Sequence, residues 1–117
     1  MALADPQTLT VNSVAKTLNL IESVGLRSVY KTSDELFELI VSHAESKGRT
    51  RRMVRVNQRV VAADPLTSVN EYKDLGVYFV IDEPEFGFDD TTIGYLWTAL
   101  KTLADSTFLG KVLGAQH

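Results

Sequence analysis

The chain of 117 residues contains no cysteine, which excludes a disulfide framework, a thiolate metal centre and a thiol nucleophile. Histidine is nearly as scarce. His43 and His117 stand far apart without ligand spacing, so no metal and no other cofactor is expected. There is no Gly-rich phosphate loop, no Ser/His/Asp order and no EF-hand pattern of carboxylates. The acidic stretch Asp82, Glu83, Glu85, Asp89 and Asp90 reads as helix capping and surface charge, and a non-enzymatic protein is the expectation. No apolar run approaches the roughly 20 residues of a membrane span, and Met1 to Pro6 lack a charged leader. A soluble protein that starts at its natural end, without a membrane partner, is therefore expected. Positive charge is also in deficit, with a formal net charge of -3. Such a surface cannot coat nucleic acid as a whole, and any nucleic-acid site has to be local.

One segment reverses that deficit. Lys47, Arg49, Arg51, Arg52, Arg55 and Arg59 are six of the twelve basic residues, and no carboxylate lies among them. A cluster of this kind is an electrostatic footprint for an anionic polymer. From Met53 to Val60 the segment also alternates, with Val54, Val56 and Val60 on one side of an extended chain and Arg55, Asn57 and Arg59 on the other. The cations would then stand about 7 Å apart, close to a phosphate repeat. Asn57 is placed to hydrogen-bond a base edge and Tyr78 to stack on an unpaired base, although a core or surface tyrosine is the commoner fate.

At 44% hydrophobic content the chain has the size and composition of one domain, residues 1–117. Residues 7–22 read as an N-terminal hairpin turning at Asn12-Ser13, and Leu26 to Lys31 as another strand. Residues 34–46 are ambiguous. Ser33 and Asp34 suit a helix cap and Lys47-Gly48 a helix end. Against that, Phe37, Leu39, Val41 and His43 alternate with Glu38, Ile40, Ser42, Ala44 and Ser46, as in a strand that turns into the basic run. In the strand alternative Ser42 and Ser46 share a face with Arg55 and Arg59, and His43 falls on the apolar face. Pro65 ends the basic strand's run, and Tyr72 to Ile81 is extended again, with Leu75, Val77, Phe79 and Ile81 on one face. Asp89-Asp90-Thr91-Thr92 caps a helix whose stripe is Ile93, Leu96, Trp97, Leu100 and Leu103, and Ser106 opens a second short helix ending at Gly114. The order is α+β, antiparallel strands over about 26–82 followed by two helices over about 90–114. Two helices are a thin cover for so wide a sheet, which points to a symmetric dimer.

Three stretches together resemble the coat proteins of small single-stranded RNA bacteriophages, the levivirus type: Thr8 to Ile21, the Arg-x-Arg-Arg-x-Val-Arg-Val-Asn-x-Arg-Val run after Gly48, and Asp89 to Leu113. The resemblance implies an N-terminal hairpin, a five-stranded antiparallel sheet and two C-terminal helices that interlock with a partner. It makes residues 34–46 a strand. It implies a homodimer that assembles in the host cytoplasm into an icosahedral virion shell, of T = 3 type, around single-stranded RNA on the inner sheet face. Repression of replicase translation through an RNA hairpin would accompany packaging. By position it assigns RNA binding to Ser42, Ser46, Arg49, Arg51, Arg55, Asn57, Arg59 and Tyr78, and the dimer interface to Ile93, Leu96, Trp97, Leu100 and Leu103. Glu38, Ile40 and Ala44 depart from the family pattern, which often has lysine, threonine or arginine there. A dimeric RNA- or DNA-binding protein that never assembles is the alternative.

Overall fold

Alternation of apolar and polar residues dominates the first two thirds of the chain, and in the computed structural model, which describes Leu3 and residues 5–116, that part from Gln7 on is strands joined by turns and short loops. The chain divides into two compact units, Met1–Glu83 with the sheet and Pro84–His117 with the helices. The sheet unit contains β1 (Gln7–Val11), β2 (Val14–Val24), β3 (Arg27–Lys31), β4 (Phe37–Ser46), β5 (Arg49–Ala63) and β6 (Asn70–Pro84). They form one sheet in the order β1-β2-β3-β4-β5-β6.

The hairpin was expected to stand apart from a five-stranded sheet, and here the structure differs. The first half of β2 pairs with β1 and its second half with β3, so a single long strand joins hairpin and sheet into six strands. A register shift between Leu20 and Glu22 marks the transfer, as expected of a bulge that bends a strand. The turns follow from local chemistry. Asn12 and Ser13 have φ of 50 and 64°, and Lys47 and Gly48 have 45 and 77°, the hand that matches strand twist in two-residue hairpins.

Residues 37–46 are strand, against their helix-like start. The Asp34 carboxylate accepts from the Thr32 hydroxyl and, at 3.0 Å, from the Leu36 backbone N–H. It thus serves a turn, in which Glu35 has φ of 62°, and begins no helix. These bonds, with that from Thr32 first, hold the Asp34 carboxyl below its ordinary value of 3.8. A carboxyl whose pKa is depressed on folding stabilises the native turn above its unfolded value and loses that contribution as pH falls through the folded one. Exchange of the Leu36 amide proton, followed by NMR down to acid pH and corrected for intrinsic rates, is therefore expected to lose protection only below the ordinary carboxylate range.

The buried apolar cluster lies under the hairpin. Leu18, Tyr30 and Phe37 are nearly inaccessible, with Leu9, Val11 and Leu39 packed against them. Within one chain the apolar face of β5 and β6 is only partly covered: Val54, Val56, Phe79 and Ile81 are half-buried, and Val60, Leu75 and Val77 are 44, 61 and 66% exposed.

The second unit holds α1 (Asp90–Leu103) and α2 (Ser106–Leu113). Asp89 caps α1 by accepting from Thr92 N–H at 2.8 Å, and Asp105 caps α2 by accepting from Phe108 N–H at 2.8 Å. The second cap is thus Asp105, one residue before the expected Ser106. Neither helix has a buried residue.

Candidate nucleic-acid interface

The pairing of β4 with β5 sets which side chains share a face. Glu38 lies opposite Asn57, Ile40 opposite Arg55, Ser42 opposite Met53, Ala44 opposite Arg51 and Ser46 opposite Arg49. Directly opposed residues of an antiparallel pair point to the same side. Ser42, Ser46, Arg49, Arg51, Arg55, Asn57 and, two residues on, Arg59 therefore form one face. Tyr78 joins them, because the Arg55 guanidinium lies 5.2 Å from its ring centroid. Every residue singled out in the sequence for RNA contact is thus on this side. Arg52 is the exception within the basic run: it pairs with His43 on the valine side, with Nη1 2.9 Å from His43 Nδ1, and bridges Glu83 at 2.8 Å.

This face is less cationic than the sequence alone suggests. Arg59 Nε donates to Asp74 Oδ1 at 3.0 Å, and Arg49 Nε donates to Asp82 Oδ1 at 3.0 Å. The hydrogen bond to Asp74 and that residue's negative charge push the Arg59 pKa further above its already high ordinary value. Arg55 Nε donates to Asn57 Oδ1 at 2.7 Å, Asn57 Nδ2 donates to Glu38 Oε1 at 2.9 Å, and Lys31 Nζ stands 3.6 Å from Glu38 Oε2. Among the described residues Arg51 and Lys47 have no carboxylate partner. Ser42 and Ser46 lie toward the hairpin tip, away from the Lys31–Glu38–Asn57–Arg55 chain.

Tyr72 and Asp74 share this face with Tyr78, as their alternation along β6 gives, whereas sequence reasoning missed Lys31 and Asp82 as members of it. The signal for Asp82 was the same parity, since it alternates in step with Tyr78 along β6. Arg59 lies 5.3 Å from the Tyr72 ring centroid. Two guanidinium groups are thus seated on aromatic faces, an arrangement worth more where water is displaced.

On α1, Ile93 and Trp97 are partly covered, whereas Leu96, Leu100 and Leu103 are 74, 50 and 56% exposed. Among the described residues no group of three or more His, Asp or Glu side chains is placed to hold a metal ion. Nor is any described helix long and apolar enough to cross a membrane.

Solved structures share this architecture. The chain superposes on the virus-like particle protein of bacteriophage AVE019 with a TM-score of 0.76 at 10% identity, covering 93% of each chain. The virus-like particle of Beihai levi-like virus 21 gives a TM-score of 0.76 at 13% identity, over 99% of this chain and 98% of that one. An unassembled bacteriophage coat protein dimer, described as an RNA-binding dimer, gives 0.57 at 12% identity, over 97 and 95%. No curated protein sequence matches. At these identities the structures establish the fold, an antiparallel sheet followed by two C-terminal helices as in RNA phage coat proteins. A family model, that of the phage phiCb5 coat protein, matches residues 4–84, more than half of the chain. On that match, with strands and helices in the coat protein order, the chain belongs to the phage phiCb5 coat protein family.

Proposed function

We propose that this chain is a structural, non-enzymatic coat protein whose homodimer assembles in the host cytoplasm into an icosahedral shell and packages single-stranded RNA against the face bearing Arg51 and Arg55. One observation supports the dimer above others: the described chain buries only Leu18, Val29, Tyr30 and Phe37 among its apolar residues. A domain with so little covered surface is marginal alone. The valine face of β5 and β6 and the stripe Ile93, Leu96, Trp97, Leu100 and Leu103 are complementary apolar surfaces, and a second copy supplies each with a cover. The outer strand β6 also offers an edge whose pairing with its own copy would remove an aggregation hazard. A quasi-equivalent T = 3 arrangement is the shell geometry we adopt. The whole of residues 1–117 then acts as one coat protein domain.

Size-exclusion chromatography with electron microscopy of the purified chain tests this reading. Uniform shells carrying RNA are expected, and a persistent monomer would overturn it. A dimer that binds nucleic acid without forming shells would replace it by the non-assembling alternative. Sequencing the packaged RNA separates the finer roles. Enrichment of one hairpin supports repression of replicase translation, whereas bulk host RNA leaves packaging by charge alone.

The ion pairs rank the arginines. Arg51→Gln removes a cation with no carboxylate partner, and the log–log salt slope of single-stranded RNA binding is expected to fall in magnitude by about 0.7. Arg59→Gln also uncovers Asp74, so its affinity at one salt concentration is expected to fall further than that of Arg51→Gln. Filter binding across a salt series measures both.

A further inference from the structure

The carboxylates that temper the cationic face also give it a different chemistry at one end. Lys31, Glu38, Arg55, Asn57, Arg59 and Asp74 line a concavity of about 220 Å³. Its walls carry three cations, Lys31, Arg55 and Arg59, against the carboxylates of Glu38, Asp74 and the neighbouring Glu35. Balanced charge of this kind suits a phosphate poorly, because each carboxylate repels it. It suits a neutral ligand that presents donors on one edge and acceptors on another.

The groups are held in place for such a ligand. Arg55 is fixed by its Nε bond to Asn57 and by the Tyr78 ring, and it lies over Gly76, where an added Cβ would come within 2.5 Å of Nη2. Glycine at position 76 is what lets the guanidinium lie flat on β6. Arg59 is fixed in the same manner, by its Nε bond to Asp74 and by the Tyr72 ring. Both of these bonds use Nε, which leaves terminal nitrogens of each guanidinium to donate elsewhere. Asp74 is engaged through Oδ1, and a carboxylate offers about four lone pairs. Donor and acceptor forks therefore stand side by side.

We propose that this concavity is a base-reading subsite selective for guanine within single-stranded RNA. The proposal rests on the RNA-packaging reading above and adds to it the identity of one base. Guanine alone among the four bases presents two adjacent donors, N1–H and N2–H, that a carboxylate accepts as a pair, together with two adjacent acceptors, O6 and N7, that a guanidinium fork fills. Adenine places an amino donor where guanine has O6 and lacks the 2-amino group. Uracil and cytosine each match one fork at most. The face of the guanidinium that does not pair with O6 and N7 is left as a stacking platform for the base.

The test is fluorescence anisotropy with the full chain and labelled oligouridylates carrying one central G, A or C, at one salt concentration. The G oligomer is expected to bind at least about fivefold more tightly than the others, the low end of what one bidentate pair discriminates. In Asp74→Asn and Glu38→Gln that preference is expected to fall below about twofold, whereas Glu45→Gln, on the opposite face of β4 from Glu38, retains it. Two independent variants guard against a failure of either to fold. Equal affinity for all oligomers, or a preference that survives both substitutions, overturns the guanine subsite and leaves RNA packaging standing. Absence of salt-sensitive binding to any oligomer overturns the packaging reading and the subsite together.

Discussion

Trp97→Ala is expected to leave a chain that folds its sheet and fails to hold its partner. Within the chain Trp97 is only partly covered, and it sits in the middle of a stripe whose leucines are at least half exposed. In the proposed dimer this indole is the largest apolar group that α1 offers to the opposite copy. Truncating a buried Trp costs about 3–5 kcal/mol, because the lost contacts are compounded by the cavity left behind. At about 1.4 kcal/mol per decade, the dissociation constant rises by roughly two to three and a half decades. Sedimentation velocity over a dilution series measures the change, with electron microscopy to count shells. Far-UV circular dichroism is expected to keep its strand signal, since Leu18, Tyr30 and Phe37 lie in the other unit of the chain. A variant that dimerises as tightly as the parent would place the interface elsewhere than on α1.

Much of the architecture could be read along the chain because alternation is a local property. The strands from Gln7 to Val11, through the basic run, and from Tyr72 to Ile81 were visible as periodicity two, and the α1 stripe as periodicity 3.6. Residues 34–46 were ambiguous because an Asp that accepts backbone N–H bonds serves a turn as well as a helix cap. What decides between them is pairing on both sides: Tyr30 stands opposite Leu39, and Leu39 opposite Val56. Neither partner is near in sequence. Joining the hairpin to the sheet likewise depends on how far β2 runs, a question of register that its own residues do not answer.

The candidate site was legible to the extent that it depends on one strand. Arg55, Asn57 and Arg59 could be assigned to a common face from their spacing alone. Their partners could not, because Asp74 and Asp82 meet Arg59 and Arg49 only through the register of β5 with β6, and Glu38 reaches Asn57 only across the hairpin. Exposed ion pairs of this type contribute little to stability. A face that began as a row of arginines becomes one where some cations are committed to carboxylates and others are not. In the proposed RNA-packaging reading, that division would separate charge-driven affinity, at Arg51 and the hairpin tip, from base selection at the other end of the same strands.

Phe37→Ala is expected to attack the fold itself. Phe37 opens β4, is 6% exposed, and packs with Leu18 and Tyr30, which are 0 and 2% exposed. Lys16 Nζ lies 5.3 Å from its ring centroid, so the aromatic face is occupied as well. The backbone at this position closes the preceding turn: Phe37 N–H donates to Thr32 Oγ1 at 3.3 Å, and Thr32 N–H donates to Phe37 O at 3.1 Å. Truncation removes the ring that links the hairpin to the main sheet and opens a cavity at a site with few other buried residues to collapse into it. A loss of about 3–5 kcal/mol is expected, against a total of about 5–15 kcal/mol for an ordinary domain. Urea unfolding of parent and variant at equal protein concentration reads this as a lower midpoint with an unchanged slope. Phe37→Leu, which keeps much of the volume, is expected to fall between the two. The sequence of failures then distinguishes the two sites: Phe37→Ala lowers unfolding stability and shell yield together, whereas Trp97→Ala lowers shell yield while the isolated sheet keeps its fold. Equal urea midpoints for Phe37→Ala and the parent would mean that the hairpin cluster is not the core on which the sheet depends.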